Sequence, residues 1–109
     1  MKKAVLAGSI FVMTLTLTYA QTKSQPSFKP KEGFVPNAET AVRIAEAVLV
    51  PVYGEKLILS ERPFHATLEG DVWTVDGTLH CRAPQCDGGT ARVEIAKSSG
   101  QILNMIHYK

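Results

Sequence analysis

The residues best suited to chemistry form one short cluster, His80-Cys81-x4-Cys86-Asp87. Imidazole, thiolate and carboxylate are zinc ligands, but a structural zinc site takes four of them, usually with C-x2-C-like spacing. Two thiols in an oxidising compartment pair with each other before they bind a metal. The cluster therefore predicts a Cys81–Cys86 disulfide and no metal site.

The sequence offers little for covalent or acid–base catalysis. A nucleophile needs a neighbouring base, and no serine lies in a G-x-S-x-G elbow. Ser98-Ser99 falls in a predicted turn, where serines are common. The best carboxylate pair is Glu46 on a predicted helix and Asp76 on a predicted strand, but strand alternation points Asp76 away from the helix. We predict a protein that is not an enzyme and needs no cofactor.

The first 20 residues resemble an export signal. Lys2 and Lys3 precede an uncharged apolar run over residues 4–18, and Thr18-Tyr19-Ala20 supplies small residues before a cut at Gln21. The run is shorter than the ~20 residues of a membrane-spanning helix, so cleavage is favoured over an uncleaved anchor. No cysteine marks a lipid attachment site at the cut. We predict an exported protein, located in the periplasm.

Cleavage changes the charge balance of the chain. The 12 Lys and Arg include Lys2 and Lys3, so residues 21–109 carry 10 basic against 10 acidic residues. A neutral chain lacks the basic surface that binds nucleic acid. These 89 residues suffice for one domain. Residues 21–32 are polar and contain two prolines, which predicts a flexible tether ahead of a single domain over residues 33–109.

One amphipathic segment, Asn37 to Gly54, must carry the main helix. Glu39 and Arg43 lie off its apolar stripe, and Asn37 is a good N-cap. Pro51 predicts that the helix ends or kinks around Leu49 or Val50. The stripe recurs at helical spacing through Ala41, Ile44, Ala45, Val48, Leu49 and Val52.

From Phe64 the apolar period changes to two, which predicts strands. Two runs flank the tight turn Gly70-Asp71, a third covers residues 90–97 and a fourth covers residues 101–107. The fourth is apolar on both faces, so we expect it to be central in the sheet or covered on both sides. Residues 55–61 favour a short helix or turn. The fold class is α+β, with one main N-terminal helix, and this short second one, on a four-stranded antiparallel sheet.

The ordered motifs resemble a bacterial immunity-protein family that has the nuclear transport factor 2-like fold. The resemblance covers about residues 33–109 and implies an abbreviated form of that fold. It also implies a protein partner, a polymorphic toxin that the chain binds and neutralises. The motifs are Ala41…Ala45-Glu46…Tyr53-Gly54, Arg62-Pro63-Phe64, Trp73-x-Val75-x-Gly77, Gly88-Gly89, Ile95-x-Lys97, Gly100-x-Ile102 and His107-x-Lys109.

Two surfaces are candidates for binding. The polar sheet face would take a protein partner, together with the cysteine loop; its residues are His65, Thr67, Thr74, Asp76, Arg92 and Glu94. The alternative function is an exported small-ligand-binding or accessory module with a pocket between helix and sheet. That pocket, and the family's signature positions, would involve Glu46, Tyr53, Arg62, Trp73 and His107. An enzyme on a related fold is a third hypothesis, and it would need an ionisable group deep in the cavity.

Overall fold

Two helices precede four strands along the chain, and the helices cover one face of the sheet. The computed structural model describes residues 25–81 and 88–109, together with residues 8, 10, 11 and 13–16. The elements are α1 (Ala38–Tyr53), α2 (Glu55–Ser60), β1 (His65–Glu69), β2 (Val72–Asp76), β3 (Ala91–Ala96) and β4 (Ile102–His107). This is the predicted α+β fold, and it includes the short second helix.

Helix α1 begins as its sequence predicts. Asn37 is the N-cap, and its Oδ1 accepts a hydrogen bond of 2.9 Å from the Thr40 backbone N–H. Glu39 pairs with Arg43 at 2.7 Å on the solvent side. The apolar stripe faces the sheet, with Ala41, Ala45 and Leu49 fully buried.

The predicted end of α1 at Leu49 or Val50 is wrong, because the helix continues through Pro51 to Tyr53. A proline in the last turn removes one N–H and leaves the later hydrogen bonds intact. The Gly54 N–H still reaches the Val50 carbonyl at 2.8 Å and closes that turn. Val52, the last residue of the stripe, stays 60% exposed, so the packed face ends before the helix does.

The four strands form an antiparallel meander in the order β1-β2-β3-β4. Gly70, with φ of 59°, turns β1 into β2 at the predicted position. Strand β2 stops at Asp76, and Leu79, which alternation would place inward, is 48% exposed.

Strand β4 is an edge strand, so the expected central position is wrong. Its Leu103 and Ile106 are 46% and 38% exposed.

The core lies between α1 and the inner face of the sheet. Helix α1 packs mainly on β1, β2 and β3. Each large aliphatic side chain buried here contributes about 1.5–3 kcal/mol relative to exposure. The fully buried residues are Val35, Ala41, Ala45, Leu49, Ile58, Val75, Ala91, Val93 and Ile95.

The chain enters α1 along the turn between β3 and β4. The N–H groups of Phe34 and Val35 donate to the carbonyls of Ser98 and Lys97 at 3.2 and 3.0 Å. Gly33 passes so close that a Cβ there would lie 2.5 Å from the Lys97 carbonyl oxygen. Val35 is fully buried in the core, whereas Phe34 is 49% exposed.

Parts of three predicted segments lie outside the described residues. They are most of the signal segment over residues 1–20, with residues 21–24 of the tether, and residues 82–87 of the cysteine loop. The signal peptide, the tether and the domain boundaries therefore stay predictions. No helix in the described parts of the chain is long and apolar enough to cross a membrane.

Candidate functional site

The six residues predicted to bind a partner lie together on the outer face of the sheet, the face opposite α1. Strand pairing sets His65 opposite Asp76, and Asp76 opposite Arg92. One step along the sheet, Thr67 pairs with Thr74, which pairs with Glu94 in turn. The six form two adjacent rows across three strands, since alternate residues of a strand share a face.

Arg92 contacts both a carboxylate and an aromatic ring on this face. Its Nε donates to Asp76 Oδ1 at 2.7 Å, and the side chains of both residues are a little over one-third exposed. The hydrogen bond to Asp76, with the Coulomb attraction of that carboxylate, raises the pKa of the Arg92 guanidinium. Arg92 Cζ also lies 5.6 Å from the centre of the Tyr108 ring, within cation–π range. Arg92 thus has two partners that restrict its side chain, the Asp76 carboxylate and the Tyr108 ring.

The residues predicted to line a helix–sheet pocket separate into three places. The first place holds a bidentate ion pair between Glu46 and Arg62. Arg62 Nε donates to Glu46 Oε1 at 2.9 Å, and Arg62 Nη2 donates to Glu46 Oε2 at 2.8 Å. The hydrogen bond to Glu46 raises the pKa of the Arg62 guanidinium. Because Arg62 is exposed, this pair links α1 to the end of α2 at the surface and lines no helix–sheet pocket.

Tyr53 and His107 form the second place. Their ring centres are 5.4 Å apart and the ring planes are tilted by 52°. His107 Nε2 lies 3.0 Å from Glu61 Oε2, and Glu61 Oε1 accepts a 2.6 Å hydrogen bond from the Ala91 N–H. Only 6% of Glu61 is exposed. This carboxylate therefore joins the end of α2 to both β3 and β4.

The Glu61 side chain also explains the glycine that follows β2. A Cβ at Gly77 would lie 3.0 Å from both Cβ and Oε1 of Glu61, and 3.1 Å from Phe64 Cε1. Such distances are too short for an ordinary packing contact, so any larger residue would displace the carboxylate or the ring.

Trp73 occupies the third place, in the core at the other end of the sheet. Its indole N–H donates to the Val35 carbonyl at 2.8 Å, and 7% of the residue is exposed. Trp73 pairs with Ile95, whereas His107 pairs with Ala91. Four residues of strand correspond to roughly 13 Å, so Trp73 and His107 do not face one another across one cavity.

Two surface grooves lie on the helical side. One, of about 520 Å³, surrounds the turn between α1 and α2 and is lined by Tyr53 and by residues 54–57 and 60. The other, of about 410 Å³, runs between the helices past the Glu46–Arg62 pair and Pro51. Neither groove is lined by a residue of a strand.

Glu61 is the site residue that the sequence interpretation missed. It follows Ile58 by three positions, which on a helix places the two side chains on one face. Ile58 is fully buried, so that spacing was the available signal for a buried carboxylate. The signal depends on knowing that residues 55–60 are helical.

Metal binding and the disulfide concern the cysteine loop. Among the residues that the structure describes, no three His, Cys, Asp or Glu side chains are grouped closely enough to hold a metal ion. Cys86 and Asp87 lie outside those residues. The Cys81–Cys86 disulfide therefore stays a prediction.

The chain matches a known protein family and is similar to known proteins. A family model described as "NTF2 fold immunity protein" matches residues 40–109, which include nearly all of α1, α2 and the four strands. The chain is similar to two uncharacterized proteins of Escherichia coli K12. It is 34% identical to YhhH over 110 aligned residues, which cover 93% of this chain and 84% of YhhH. It is also 34% identical to YbbC over 70 residues, covering 63% of this chain and 55% of YbbC.

No solved structure matches the chain. The helix packed against a four-stranded antiparallel sheet is nevertheless consistent with an NTF2-like α+β fold. The family match spans more than half of the chain and nearly all of its folded elements. The chain therefore belongs to the family of NTF2-fold immunity proteins.

Proposed function

We propose that the chain is an exported immunity protein, which binds a bacterial toxin through the outer face of its sheet and neutralises it without catalysing a reaction. The observation that carries this proposal is the immunity-family match over residues 40–109. Proteins of such a family protect a cell by occupying a toxin, so the task requires a complementary surface.

The outer face has the composition of a protein-binding surface. Arginine and tyrosine are enriched where protein interfaces carry most of their energy, and Arg92 stacks near Tyr108 beside the exposed Ile106. Asp76 fixes the guanidinium, so less side-chain entropy is lost when a partner binds. No helix among the described residues covers this face.

Charge indicates the chemistry of the partner. The outer face carries Glu69, Asp76 and Glu94 against Arg92 alone. Asp76 is engaged by Arg92, whereas neither Glu69 nor Glu94 has an ion-pair partner in the described part of the chain. A basic segment on the toxin would complement this surface and speed the encounter.

The proposal that the protein is not an enzyme is supported by the burial and the hydrogen-bond partners of Glu61. It is the one buried charged side chain among the described residues. Both of its oxygens already have partners, the Ala91 N–H and His107. A group held in this way supports the fold and is poorly placed to exchange protons with a substrate.

Export is proposed from the N-terminal sequence. The basic start, the uncharged run and the small residues before Gln21 favour transport and cleavage, and an oxidising destination would permit the Cys81–Cys86 disulfide. N-terminal sequencing of the protein recovered from the periplasm tests both steps. A start at Gln21 agrees with the proposal, and an intact Met1 in the cytoplasmic fraction contradicts it.

The function is tested by isolating the partner and then measuring protection. The full chain with a C-terminal tag is expressed in its own host, and proteins that co-purify at fixed stoichiometry are identified. Each is then expressed in a sensitive strain, alone and together with the chain. We expect one partner that stops growth alone and is harmless in the presence of the chain. If none is toxic, the immunity proposal fails.

The alternative function, a small-ligand-binding module, is favoured by one observation. The groove at the turn between α1 and α2 has a volume of about 520 Å³, within the usual range for ligand sites, and Tyr53 lines it. Trp73 does not line this groove, so its fluorescence is a poor probe of binding there. Chemical-shift changes of the Tyr53 ring across a metabolite panel would test the alternative directly.

A further inference from the structure

Strand β4 is an edge strand that has the side chains of an interior one. Ile102 and Met105 pack partly against the core, while Leu103 and Ile106 remain substantially exposed. Edge strands of soluble proteins usually carry charges or prolines that discourage pairing with other chains. Residues 98–108 contain no Asp, Glu, Lys or Arg.

The backbone of β4 is also available for pairing. The N–H of Tyr108 donates to Thr90, and its carbonyl accepts from Gly89, so this residue faces β3. Bonding direction alternates along an antiparallel strand. The N–H and C=O groups of Met105 and His107 therefore point away from β3, and no strand in the described parts of the chain receives them.

The two edges of the sheet differ in how they are protected. Strand β1 has five residues, follows Pro63, ends at Glu69 and lies beneath α1. The only comparable device on β4 is a bulge opposite Glu94 and Ile95, near its start. The bulge leaves residues 104–107 in regular pairing with β3. The open edge is therefore the second half of β4.

We propose that a second copy of this chain pairs with β4 in antiparallel fashion about a two-fold axis, so that two four-stranded sheets become one sheet of eight. A two-fold axis sets β4 against itself, and a strand without charges meets no like charge in that arrangement. Strand β4 then becomes a central strand of the joined sheet, and its open backbone edge is paired.

Charge along the outer face is compatible with one register in particular. When Met105 lies opposite the partner's Met105, Ile106 lies opposite the partner's Asn104. The row through Arg92 and Ile106 then continues into the partner's Asn104 and Glu94, because Arg92 pairs with Ile106 and Glu94 pairs with Asn104 within each copy. No two like charges lie directly opposite each other across the two-fold axis in this register. This inference is independent of toxin binding.

The test measures the molar mass of the full chain, purified from cells that express it, by size-exclusion chromatography with light scattering at micromolar concentration. We expect twice the mass of one chain. Ile106→Lys sets two cations near the two-fold axis, and we expect it to raise the dimer dissociation constant by about tenfold or more. Thr67→Lys makes the same change of charge on exposed β1 and should leave the dimer intact.

A backbone variant separates pairing from side-chain packing. Met105→Pro removes an N–H that faces away from β3, which an edge strand tolerates, whereas Met105→Ala removes the side chain alone. We expect the proline variant to be a folded monomer by circular dichroism and the alanine variant to remain a dimer. If the proline variant unfolds, the comparison of Ile106→Lys with Thr67→Lys still tests whether β4 forms the dimer interface.

Three results would overturn the proposal. They are a wild-type monomer at these concentrations, a dimer that Ile106→Lys does not weaken, and slow amide exchange of Met105 and His107 in a monomer. The last would assign the edge to another segment of the same chain.

Discussion

Glu61 and His107 are 46 residues apart in the chain, yet the Glu61 carboxylate lies 3.0 Å from His107 Nε2. The second oxygen of the carboxylate accepts from the Ala91 N–H at 2.6 Å. One side chain at the end of α2 thereby holds both β3 and β4. A buried carboxylate is costly unless it is paired in this manner, so the contact is a structural requirement of this end of the domain.

Replacing Glu61 should destabilise the domain more than any other single change of charge. Glu61→Ala leaves the buried Ala91 N–H and His107 without their acceptor, and we expect a loss of about 2–4 kcal/mol in the free energy of unfolding. Glu61→Gln keeps one acceptor oxygen and should lose less. Urea unfolding measures both, with Glu69→Ala as the exposed control, expected within about 0.5 kcal/mol of wild type. Equal effects of Glu61→Ala and Glu69→Ala would contradict the burial of Glu61.

Trp73→Phe tests the link between the core and the chain entering α1. The change removes the 2.8 Å hydrogen bond to the Val35 carbonyl and leaves a cavity beside it. We expect a loss of roughly 2–3 kcal/mol, seen as a lower midpoint in thermal unfolding. Phe28→Ala also removes an aromatic ring, but Phe28 is 82% exposed and its replacement should be neutral.

The Glu46–Arg62 pair should contribute the same small stability throughout the neutral pH range. The hydrogen bond to Glu46 raises the pKa of Arg62. A cation whose pKa rises on folding stabilises below its unfolded pKa and loses that contribution only as pH rises through the folded value, which for arginine lies far above the neutral range. Arg62→Gln should therefore have equal effects at about pH 6 and pH 9. Arg43→Gln, which removes another exposed ion pair, is the control; a clear pH dependence of Arg62→Gln alone would contradict the assignment.

Glu94→Lys should weaken binding of the proposed toxin. Glu94 lies at the centre of the outer face, and its reversal would oppose a basic partner with a like charge. We expect the dissociation constant to rise by about tenfold or more by calorimetry, with loss of protection in the growth assay. Glu39→Lys makes an identical change of charge on the far side of α1 and should leave binding unchanged. If the two variants bind equally well, the outer face is not the toxin-binding surface.

Local patterns were sufficient to predict most of the fold. The 3.6-residue stripe predicted α1, and the change to period two at Phe64 predicted the first hairpin with its Gly70-Asp71 turn. These signals are strong because each element buries only one face. Pro51 misled the interpretation for a physical reason. A proline near the end of a helix costs a single hydrogen bond, which the packed face of α1 offsets.

The arrangement of the candidate site was predictable only in part. Strand alternation placed the six outer-face residues together correctly, because alternation is a property of each strand by itself. It could not relate Trp73 to His107, since that distance depends on strand register and on where α1 crosses the sheet. Contacts such as Glu61 with His107 join distant elements after docking, and no local spacing encodes them.

The sequential strand order has a consequence for how the domain folds. Each strand pairs with its neighbour in the chain, so the sheet can assemble by adding one strand at a time. The longest connection within it, residues 77–90, costs only about 1 kcal/mol more loop entropy than the short one over residues 97–101. Pairing between strands that are neighbours in the chain favours fast assembly of the sheet. A newly made chain would thus complete its own sheet quickly, and the edge of β4 would stay open until a second copy pairs with it in the proposed dimer.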